Sequence, residues 1–257
     1  MRKFTVLCLA VFLVLGCTAS LCFAQDKSVN VGRVYVMTPK SGMVKQFEEG
    51  RKRHMEFHRK NNDTWSWLTW EIQTGEGTGS YLSTTFGHTF KDFDTWEAKL
   101  GAADAADSMA NLAPYLTDNG DNGFWMVLNN ISHPSDSMEP SKMAEANHFL
   151  LKPGREEKFI DAARKINDAI IKSNWGNAHY TWYMLVDGGQ QPHLVLLIDM
   201  NGWADLAEPE PPLNAMLEKA LGRMDAEAVM HTVNESIQRE WTETILFRPD
   251  LSYMAPK

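Results

Sequence analysis

The two halves of the sequence carry the same order of patterns, and this internal duplication limits the fold more than any other feature of the chain. Each half opens with a short apolar run, at 34–37 and 148–151, followed by proline, glycine and a long helical pattern. Within these helices Phe47 and Phe159 stand at matching positions ahead of a basic pair. Two strand-like runs, a second helical region and a closing apolar run complete each half. The duplication predicts two copies of one folding unit.

Hydrophobic periodicity predicts the order strand, helix, strand, strand, helix, strand in both halves. The first half is predicted to have strands at 33–38, 64–73, 80–87 and 124–128, with helices at 42–60 and, in broken form, at 89–116. The second half is predicted to have strands at 147–152, 178–187, 193–200 and 244–248, with helices at 155–173 and within 203–241. In this βαββαβ order, typical of the ferredoxin-like unit, helices cover one face of an antiparallel sheet. Burying the two free faces together gives an α+β fold, two tandem ferredoxin-like βαββαβ units that form a pseudo-dimeric α+β barrel.

The first 24 residues have the composition of an export signal. Arg2 and Lys3 precede an apolar stretch that is too short for a membrane span, and small residues lead to a cleavage position after Ala24. An alternative is lipidation of Cys17, which follows Val-Leu-Gly. The sequence predicts an exported, periplasmic or secreted protein whose mature chain has no integral membrane span. Its predicted segments are a signal at 1–24, a linker at 25–32, unit 1 at 33–132, a linker at 133–145, unit 2 at 146–252 and a tail at 253–257.

Composition excludes several classes of function. All three cysteines fall within the predicted signal, so the mature chain has no disulfide, no thiolate nucleophile and no cysteine-ligated metal. Removing Arg2 and Lys3 from the 25 basic residues leaves 23 against 33 acidic residues, a net charge of −10. This acidity argues against a nucleic-acid partner. The sequence also contains no phosphate loop, nucleophile elbow or dinucleotide fingerprint.

Motifs in both halves resemble the dimeric α+β barrel superfamily, in particular its NIPSNAP-like and EthD-like branches. The matching residues in the first half are Val34-Tyr35-Val36, Pro39, Gly42, Phe47, Trp67 and Phe93-Asp94-Thr95-Trp96-Glu97, and in the second half Lys152-Pro153-Gly154, Phe159, Trp182, Gly188 and Trp203-Ala204-Asp205. The resemblance implies a small apolar pocket, either between helices and sheet or at the barrel mouth. The superfamily includes cofactor-free monooxygenases, lactone isomerases, haem-dependent enzymes and members without known activity, so the resemblance selects no single reaction.

The first long helix carries polar side chains where its counterpart carries aliphatic ones. Aligned on their phenylalanines, the helices pair His54 with Ile166 and His58 with Ile170. Buried polar groups need partners, so the two histidines, one helical turn apart, are candidate acid/base residues or ligand contacts. The alternative is a rotated helix with both histidines at a solvated edge. Glu56 stands midway between them, which is not the zincin spacing, and no metal is predicted.

Other candidate ligand contacts are polar groups near the histidines and large aromatic groups on predicted strands. They are Arg51, Trp65, Trp67, Glu71, His88, Tyr180 and Trp182. The four aromatic residues are expected on the sheet face that the two units bury between them. There they either stack on a flat aromatic ligand or fill the core. Glu71 is alternatively a solvated side chain that contacts no ligand. His88, just before the helix start at Thr89, alternatively has a structural role.

Three functions fit these observations. The first is an exported small-molecule-binding protein or cofactor-independent enzyme, monooxygenase-like or isomerase-like, that acts on a small hydrophobic or aromatic compound with His54 or His58 as acid/base. The second is a non-catalytic structural or interaction module. The third is a haem-binding α+β barrel, which would use one of the eight histidines as axial ligand without covalent attachment. No other cofactor is expected, and a homo-oligomer is compatible with the sequence.

Overall fold

A computed structural model describes residues 30–118, 120–137, 139–176 and 179–256. The predicted export signal and the alternative lipidation site at Cys17 lie outside the described residues. Within the described chain, eight strands close into one barrel, and helices pack against its outer surface. The mixed α+β prediction is therefore confirmed. None of the helices in these ranges is long and apolar enough to cross a membrane.

The chain runs strand, helix, strand, strand, helix, strand twice. The strands are β1 (Val31–Met37), β2 (Leu68–Ile72), β3 (Tyr81–His88), β4 (Asn122–Val127), β5 (Met143–Leu151), β6 (Tyr180–Asp187), β7 (His193–Met200) and β8 (Ile237–Phe247). The helices are α1 (Val44–Lys60), α2 (Phe90–Trp96), α3 (Ala102–Asn111), α4 (Glu156–Ser173), α5 (Leu213–Leu221) and α6 (Arg223–Ser236). A π-helical turn at Glu97–Gly101 joins α2 to α3 without a break.

The barrel keeps the strands of each half together. Around its circumference the order is β1-β3-β2-β8-β5-β7-β6-β4, and every neighbouring pair is antiparallel. The first half meets the second where β2 pairs with β8 and where β4 pairs with β6. Because every strand has two neighbours, the sheet has no open edge.

Alternate residues of each strand face either the barrel interior or the helices. One part of the interior is an apolar cluster that consists of Leu68, Trp70, Ile72, Leu82, Ala144, Leu197, Ile245 and Phe247. On the helix side, Trp65 and Trp67 pack with Met55 of α1, and Tyr180 and Trp182 pack against α4. The expectation that these four aromatic residues lie between the units is wrong. The amphipathic helices α1 and α4 need a large apolar surface, and this is the sheet face that they cover.

Each half sends the segment after its last strand onto the other half. After β4, Ile131 is buried in the core of the second half, and His133 and Tyr180 exchange backbone hydrogen bonds of 2.8 and 2.9 Å. After β8, Tyr253 and Trp67 exchange backbone hydrogen bonds of 2.7 and 2.9 Å. These closing segments interlock the two halves in addition to the barrel seams.

Two predicted boundaries in the second half are wrong. Strand β5 begins at Met143, inside the predicted linker 133–145. Strand β8 begins at Ile237, so residues 237–241 are strand rather than the predicted helix. Both extensions belong to one long ladder in which His148 lies opposite Trp241. Pairing with a partner strand decides these residues, and pairing is a tertiary effect that local propensity does not report.

Candidate metal centre

Helix α1 turns a row of polar side chains toward the sheet. Arg51, His54 and His58 share one face of the helix and are 2%, 5% and 1% exposed. The alternative that places both histidines at a solvated edge is therefore wrong. Gly50 lies on the same side, and a Cβ there would stand 2.0 Å from the carbonyl oxygen of Asn111. The glycine thus allows α1 to pack closely against the end of α3.

The other wall of the site comes from the helical segment α2–α3. The helix starts with Thr89 as its N-cap, where the sequence predicts the start, and it is capped there, since Thr89 and Asp92 satisfy each other's backbone N–H groups. The π turn at Glu97–Gly101 adds a residue to the helix and changes the phase of α3 relative to α2. As a result Asp104 and Asp107 both point at α1, where they approach the histidines.

Three potential metal ligands from α1 and α3 converge on one point. His54 Nε2 lies 3.5 Å from Asp104 Oδ1, and His58 Nε2 lies 3.3 Å from the same oxygen. The three ligand atoms all lie within 4.8 Å of one another. Two ligands about 2.1 Å from a metal are about 3.0 Å apart at an octahedral angle and about 3.4 Å apart at a tetrahedral angle. The two spacings from Asp104 Oδ1, 3.5 and 3.3 Å, match those of ligands around one small cation.

The opposite ring nitrogen of each histidine is held by a carboxylate. His54 Nδ1 lies 2.8 Å from Asp107 Oδ1, and His58 Nδ1 lies 2.8 Å from Asp63 Oδ2. An ionised carboxylate only accepts hydrogen bonds, so each imidazole donates from Nδ1 and turns Nε2 toward Asp104. The Asp104 Oδ1 atom is buried and has no hydrogen-bond partner among the described residues. A carboxylate behind the ring is the usual arrangement for a metal-binding histidine.

Electrostatics favour a cation at this point. Burial, with the nearby charge of Arg51, lowers the pKa of His54 to about 3, so Nε2 carries a lone pair at neutral pH. Burial raises the pKa of Asp104, because removal from water disfavours the charged form of a carboxyl group. The site also brings three carboxylates, those of Asp63, Asp104 and Asp107, together with one guanidinium, that of Arg51. A bound cation would add positive charge to a set of groups that is rich in carboxylates.

Asp63 is a buried anion that connects the histidines to an aromatic cluster. It is 1% exposed and accepts hydrogen bonds from His58, from the backbone N–H of Trp65 at 3.1 Å, and from the indole N–H groups of Trp67 at 3.0 Å and Trp96 at 3.1 Å. Burial alone would raise the pKa of Asp63, but these donors outweigh it and the pKa is lowered. Asp63 therefore stays ionised and fixes the ring of His58.

Arg51 ties α1 to the sheet beneath the site. Its Nε donates to Thr69 Oγ1 at 3.1 Å and to the Leu251 carbonyl at 3.2 Å, and its Nη2 donates to Ser83 Oγ at 2.7 Å. Burial lowers the pKa of Arg51 to about 9, which leaves the guanidinium charged at neutral pH. Because these partners are neutral, the positive charge offsets part of the charge of the three aspartates.

Two further predicted residues from the first half lie on this side of the sheet but have other partners. Glu71 accepts a hydrogen bond of 2.7 Å from Arg248 Nη1. His88 stacks on Trp65 with ring centroids 3.7 Å apart and forms a hydrogen bond of 2.7 Å with Thr85 Oγ1. His88 thus extends the aromatic cluster beside Asp63, in agreement with its structural alternative.

The second half lacks this polar arrangement. Ile166 and Ile170, the counterparts of the histidines, pack among apolar side chains of α4, α5 and α6. Tyr180 and Trp182 belong to that half's core, where Tyr180 Oη donates to Asn167 at 2.8 Å. A single ligand that stacks among Trp65, Trp67, Tyr180 and Trp182 is therefore contradicted, because the two pairs lie in separate clusters.

The sequence prediction missed Asp63, Asp104 and Asp107. Asp63 is the third residue after the end of α1, and the other two stand three residues apart on one helix face. Their spacing is visible in the sequence, but nothing there shows which helix they meet. The family resemblance implied a small apolar pocket. Two surface clefts of ≈ 340 and ≈ 670 Å³ lie along α6, and neither includes the histidines.

No family model and no curated protein matches the chain. Solved structures do. One is a protein from Fusobacterium nucleatum assigned as a monooxygenase (12% identity, 86% of this chain and 94% of that chain covered, TM-score 0.57). Others are an anthrone oxidase-like protein (11%, 91% and 95%, 0.52) and the chlorite dismutase of Candidatus Nitrospira defluvii (9%, 86% and 92%, 0.51). These neighbours are members of the dimeric α+β barrel superfamily. The likeness establishes the fold and no activity.

Proposed function

We propose that the protein is an exported α+β barrel that holds one divalent transition-metal ion between α1 and α3 and uses it to bind or transform a small molecule. The observation that carries this proposal is the convergence of His54 Nε2, His58 Nε2 and Asp104 Oδ1 at metal-ligand spacing. The proposal departs from the metal-free prediction. Linear spacing within α1 gives only two ligands, and the third comes from a different helix.

The ligand set indicates the class of metal and leaves room for chemistry. Two imidazoles and one carboxylate suit Zn²⁺, Fe²⁺ or Mn²⁺ better than Mg²⁺ or Ca²⁺. Three protein ligands leave at least one coordination position for water or a substrate. The side chains of Asp104 and Asp107 are 22% and 23% exposed, so the α3 side of the centre lies nearest to solvent, although Asp104 Oδ1 itself is buried. The likeness to proteins assigned as monooxygenases supports a small hydrophobic or aromatic substrate.

We also propose that the two halves are tandem ferredoxin-like units of a NIPSNAP-like or EthD-like branch, with unit 1 at 33–132 and unit 2 starting at Met143 instead of 146. Support comes from the strand order, which is β4-β1-β3-β2 in one half and β8-β5-β7-β6 in the other. When the strands of each half are numbered from its own first strand, both orders become fourth, first, third, second.

Metal content and Co²⁺ titration test the centre. The protein purified from the exporting cell is expected to contain one metal ion per chain, and the metal-free form is expected to bind one Co²⁺ with the absorption of a low-symmetry site. His54→Ala, His58→Ala and Asp104→Ala should each abolish this binding. Ile166→Ala is the matched control from the second half, and it should cost about 2–5 kcal/mol of stability while leaving Co²⁺ binding intact.

Each competing function has its own outcome. A folded protein that binds no Co²⁺, Zn²⁺ or Fe²⁺ contradicts the centre; retained turnover in that state would favour metal-free acid/base catalysis by the histidines. Strong visible absorption from a bound macrocycle would support the haem alternative. Mass spectrometry of the exported chain tests cleavage after Ala24, and a lipid on Cys17 or an intact Met1 would contradict that cleavage.

A further inference from the structure

We propose that the tryptophan cluster beside the centre, formed by Trp65, Trp67 and Trp96, is a one-electron donor to the metal, with Asp63 as the acceptor of the indole proton. This inference rests on the metal centre proposed above and assigns it a redox-active metal. It names a further activity, the formation of a tryptophan radical when the metal is oxidised by peroxide.

The cluster begins at a metal-ligand side chain. The His58 ring stacks on Trp67 with centroids 5.3 Å apart and an interplanar angle of 28°. Trp67 lies 5.5 Å from Trp96, and Trp96 stacks on Trp65 at 5.4 Å and 21°. His88 then lies 3.7 Å from Trp65. Rings in contact give an electron a continuous path from the centre through this half of the protein.

Asp63 supplies what indole oxidation requires. An indole that loses an electron becomes strongly acidic at Nε1, so a nearby carboxylate stabilises the oxidised state and accepts the proton. The Nε1–H groups of Trp67 and Trp96 both donate to the carboxylate of Asp63, at 3.0 and 3.1 Å. The same carboxylate holds Nδ1 of His58 at 2.8 Å. One buried anion therefore contacts both the metal ligand and the proposed electron donors.

The second half shows that the fold itself does not require this arrangement. Its equivalent core is also aromatic, with Trp182 packed against Phe149 and Phe159 at 5.6 and 5.8 Å. The buried polar groups at that core, the hydroxyl of Tyr180 and the amide of Asn167, are neutral and bind each other. Aromatic packing is thus common to both halves, whereas a carboxylate among tryptophans occurs beside the histidine pair.

The reaction balances with hydrogen peroxide as the oxidant. With a redox-active M²⁺ ion held by His54, His58 and Asp104, peroxide would gain two electrons in all. One would come from the metal, which would end as M³⁺, and one from Trp67, which would deliver it through the metal. The O–O bond would break, and two protons from solvent would complete two water molecules. The Nε1–H bond of Trp67 breaks, an O–H bond forms on Asp63, and a neutral tryptophan radical remains.

The test compares Fe²⁺-loaded and Zn²⁺-loaded protein mixed with peroxide and frozen for electron paramagnetic resonance. We expect an organic radical in the Fe²⁺ form, with hyperfine splittings changed by ring-deuterated tryptophan, and no radical in the Zn²⁺ form. Trp67→Phe should lose the signal while still binding Fe²⁺, and Trp182→Phe, the matched variant from the second half, should keep it. Asp63→Asn, which cannot take the proton, should keep the Nε1–H splitting in any radical formed.

The failures are separable. Metal binding is measured before peroxide is added. If the wild-type protein binds none of Fe²⁺, Zn²⁺ and Co²⁺, both this inference and the proposed centre are overturned; if it binds Zn²⁺ or Co²⁺ but no Fe²⁺, the redox role is overturned and the metal centre stands. If Fe²⁺ binds and peroxide oxidises it without an organic radical, or if Trp67→Phe and Trp96→Phe both give the wild-type signal, the redox role is overturned and the metal centre stands.

Discussion

Two carboxylates that need not touch the metal decide which nitrogens of the histidines face it. Asp107 and Asp63 each hold one Nδ1 at 2.8 Å. Without them the imidazole rings could take either tautomer and rotate, and the convergence on Asp104 would depend on packing alone. At the scale of single residues, the centre therefore consists of ligands and of the groups that orient them.

Asp107→Asn and Asp63→Asn are expected to weaken metal binding by about 10- to 100-fold without abolishing it, because the amide is a weaker acceptor that orients the ring less firmly. Competitive titration of Zn²⁺ against a chelator measures the change. Asp94→Asn, on the exposed face of α2, is the control and should match the wild type. Wild-type affinity in both amide variants would contradict the orienting role.

A second pair of histidines lies inside the barrel and gives a pH dependence. His148 Nδ1 lies 3.2 Å from His193 Nε2, and the ring of His148 stacks on Trp241 at 4.6 Å. Burial, together with the neighbouring His193, lowers the pKa of His148 to about 3. Burial lowers the pKa of His193 to about 4. Between these values and the ordinary pKa of about 6.5, the unfolded chain binds more protons than the folded one.

Stability of the metal-free protein should therefore fall as the pH falls from about 6.5 toward about 3–4. Urea unfolding across this range measures the slope. His148→Phe removes one titrating group and keeps an aromatic ring on Trp241, so its slope should be shallower than that of the wild type. His54 titrates in the same window, so both proteins must be compared without metal. Equal slopes would show that His148 does not contribute.

At the scale of elements, the π turn at Glu97–Gly101 sets the phase of the second ligand helix. Asp104 follows Trp96 by eight residues. In a regular helix, eight residues rotate the side-chain direction by about 80° beyond two full turns, whereas seven residues bring it back close to the same face. The π turn absorbs the additional residue. Trp96 can then contact Asp63 while Asp104 faces the histidines.

Deleting Ala98, an exposed residue within the π turn, is expected to restore a regular helix and leave metal affinity close to the wild type. Deleting Ala105, an exposed residue within α3, should turn Asp107 by about 100° relative to Asp104. The expected loss in affinity is about 10- to 100-fold, as for other changes behind a metal ligand. Co²⁺ titration of the two deletion variants compares them directly, and equal losses would contradict the phase argument.

Local patterns predicted most elements and only part of the centre. The duplicated periodicity indicated the strand and helix order, and the contrast of His54 with Ile166 and of His58 with Ile170 pointed to the correct helix face. The face of Trp65 and Trp67 was wrong because alternation defines two faces without showing which one the helices cover. Asp63, Asp104 and Asp107 were missed because their roles arise from the packing of α1 against α3, and the π turn that aligns them has no sequence signal.

At the scale of the whole molecule, the second half completes the first. The segment after β8 places Tyr253 against the aromatic cluster, where its hydroxyl donates to the backbone carbonyl of Asp63 at 2.7 Å. The Leu251 carbonyl from the same segment accepts from Arg51. The metal centre therefore depends on residues from both halves, although its ligands all come from the first.

Tyr253→Phe should cost about 0.5–1.5 kcal/mol of unfolding free energy, the net value of one hydrogen bond, and should reduce metal affinity because Asp63 is held less firmly. His133→Ala, in the corresponding closing segment of the first half, is the control and should leave metal affinity unchanged. Chemical denaturation and Zn²⁺ competition measure the two effects. An equal loss of affinity in both variants would indicate a general loosening of the barrel.

This interlocking also sets an order of events during synthesis. The segment 249–256 leaves the ribosome after all eight strands, yet the core around Asp63 is incomplete until it arrives. A nascent chain that has made only its first half holds both histidines and all three aspartates without the tyrosine that closes over them. If the chain crosses the membrane unfolded, as its predicted signal implies, the metal ion would be taken from the supply outside the cytoplasm.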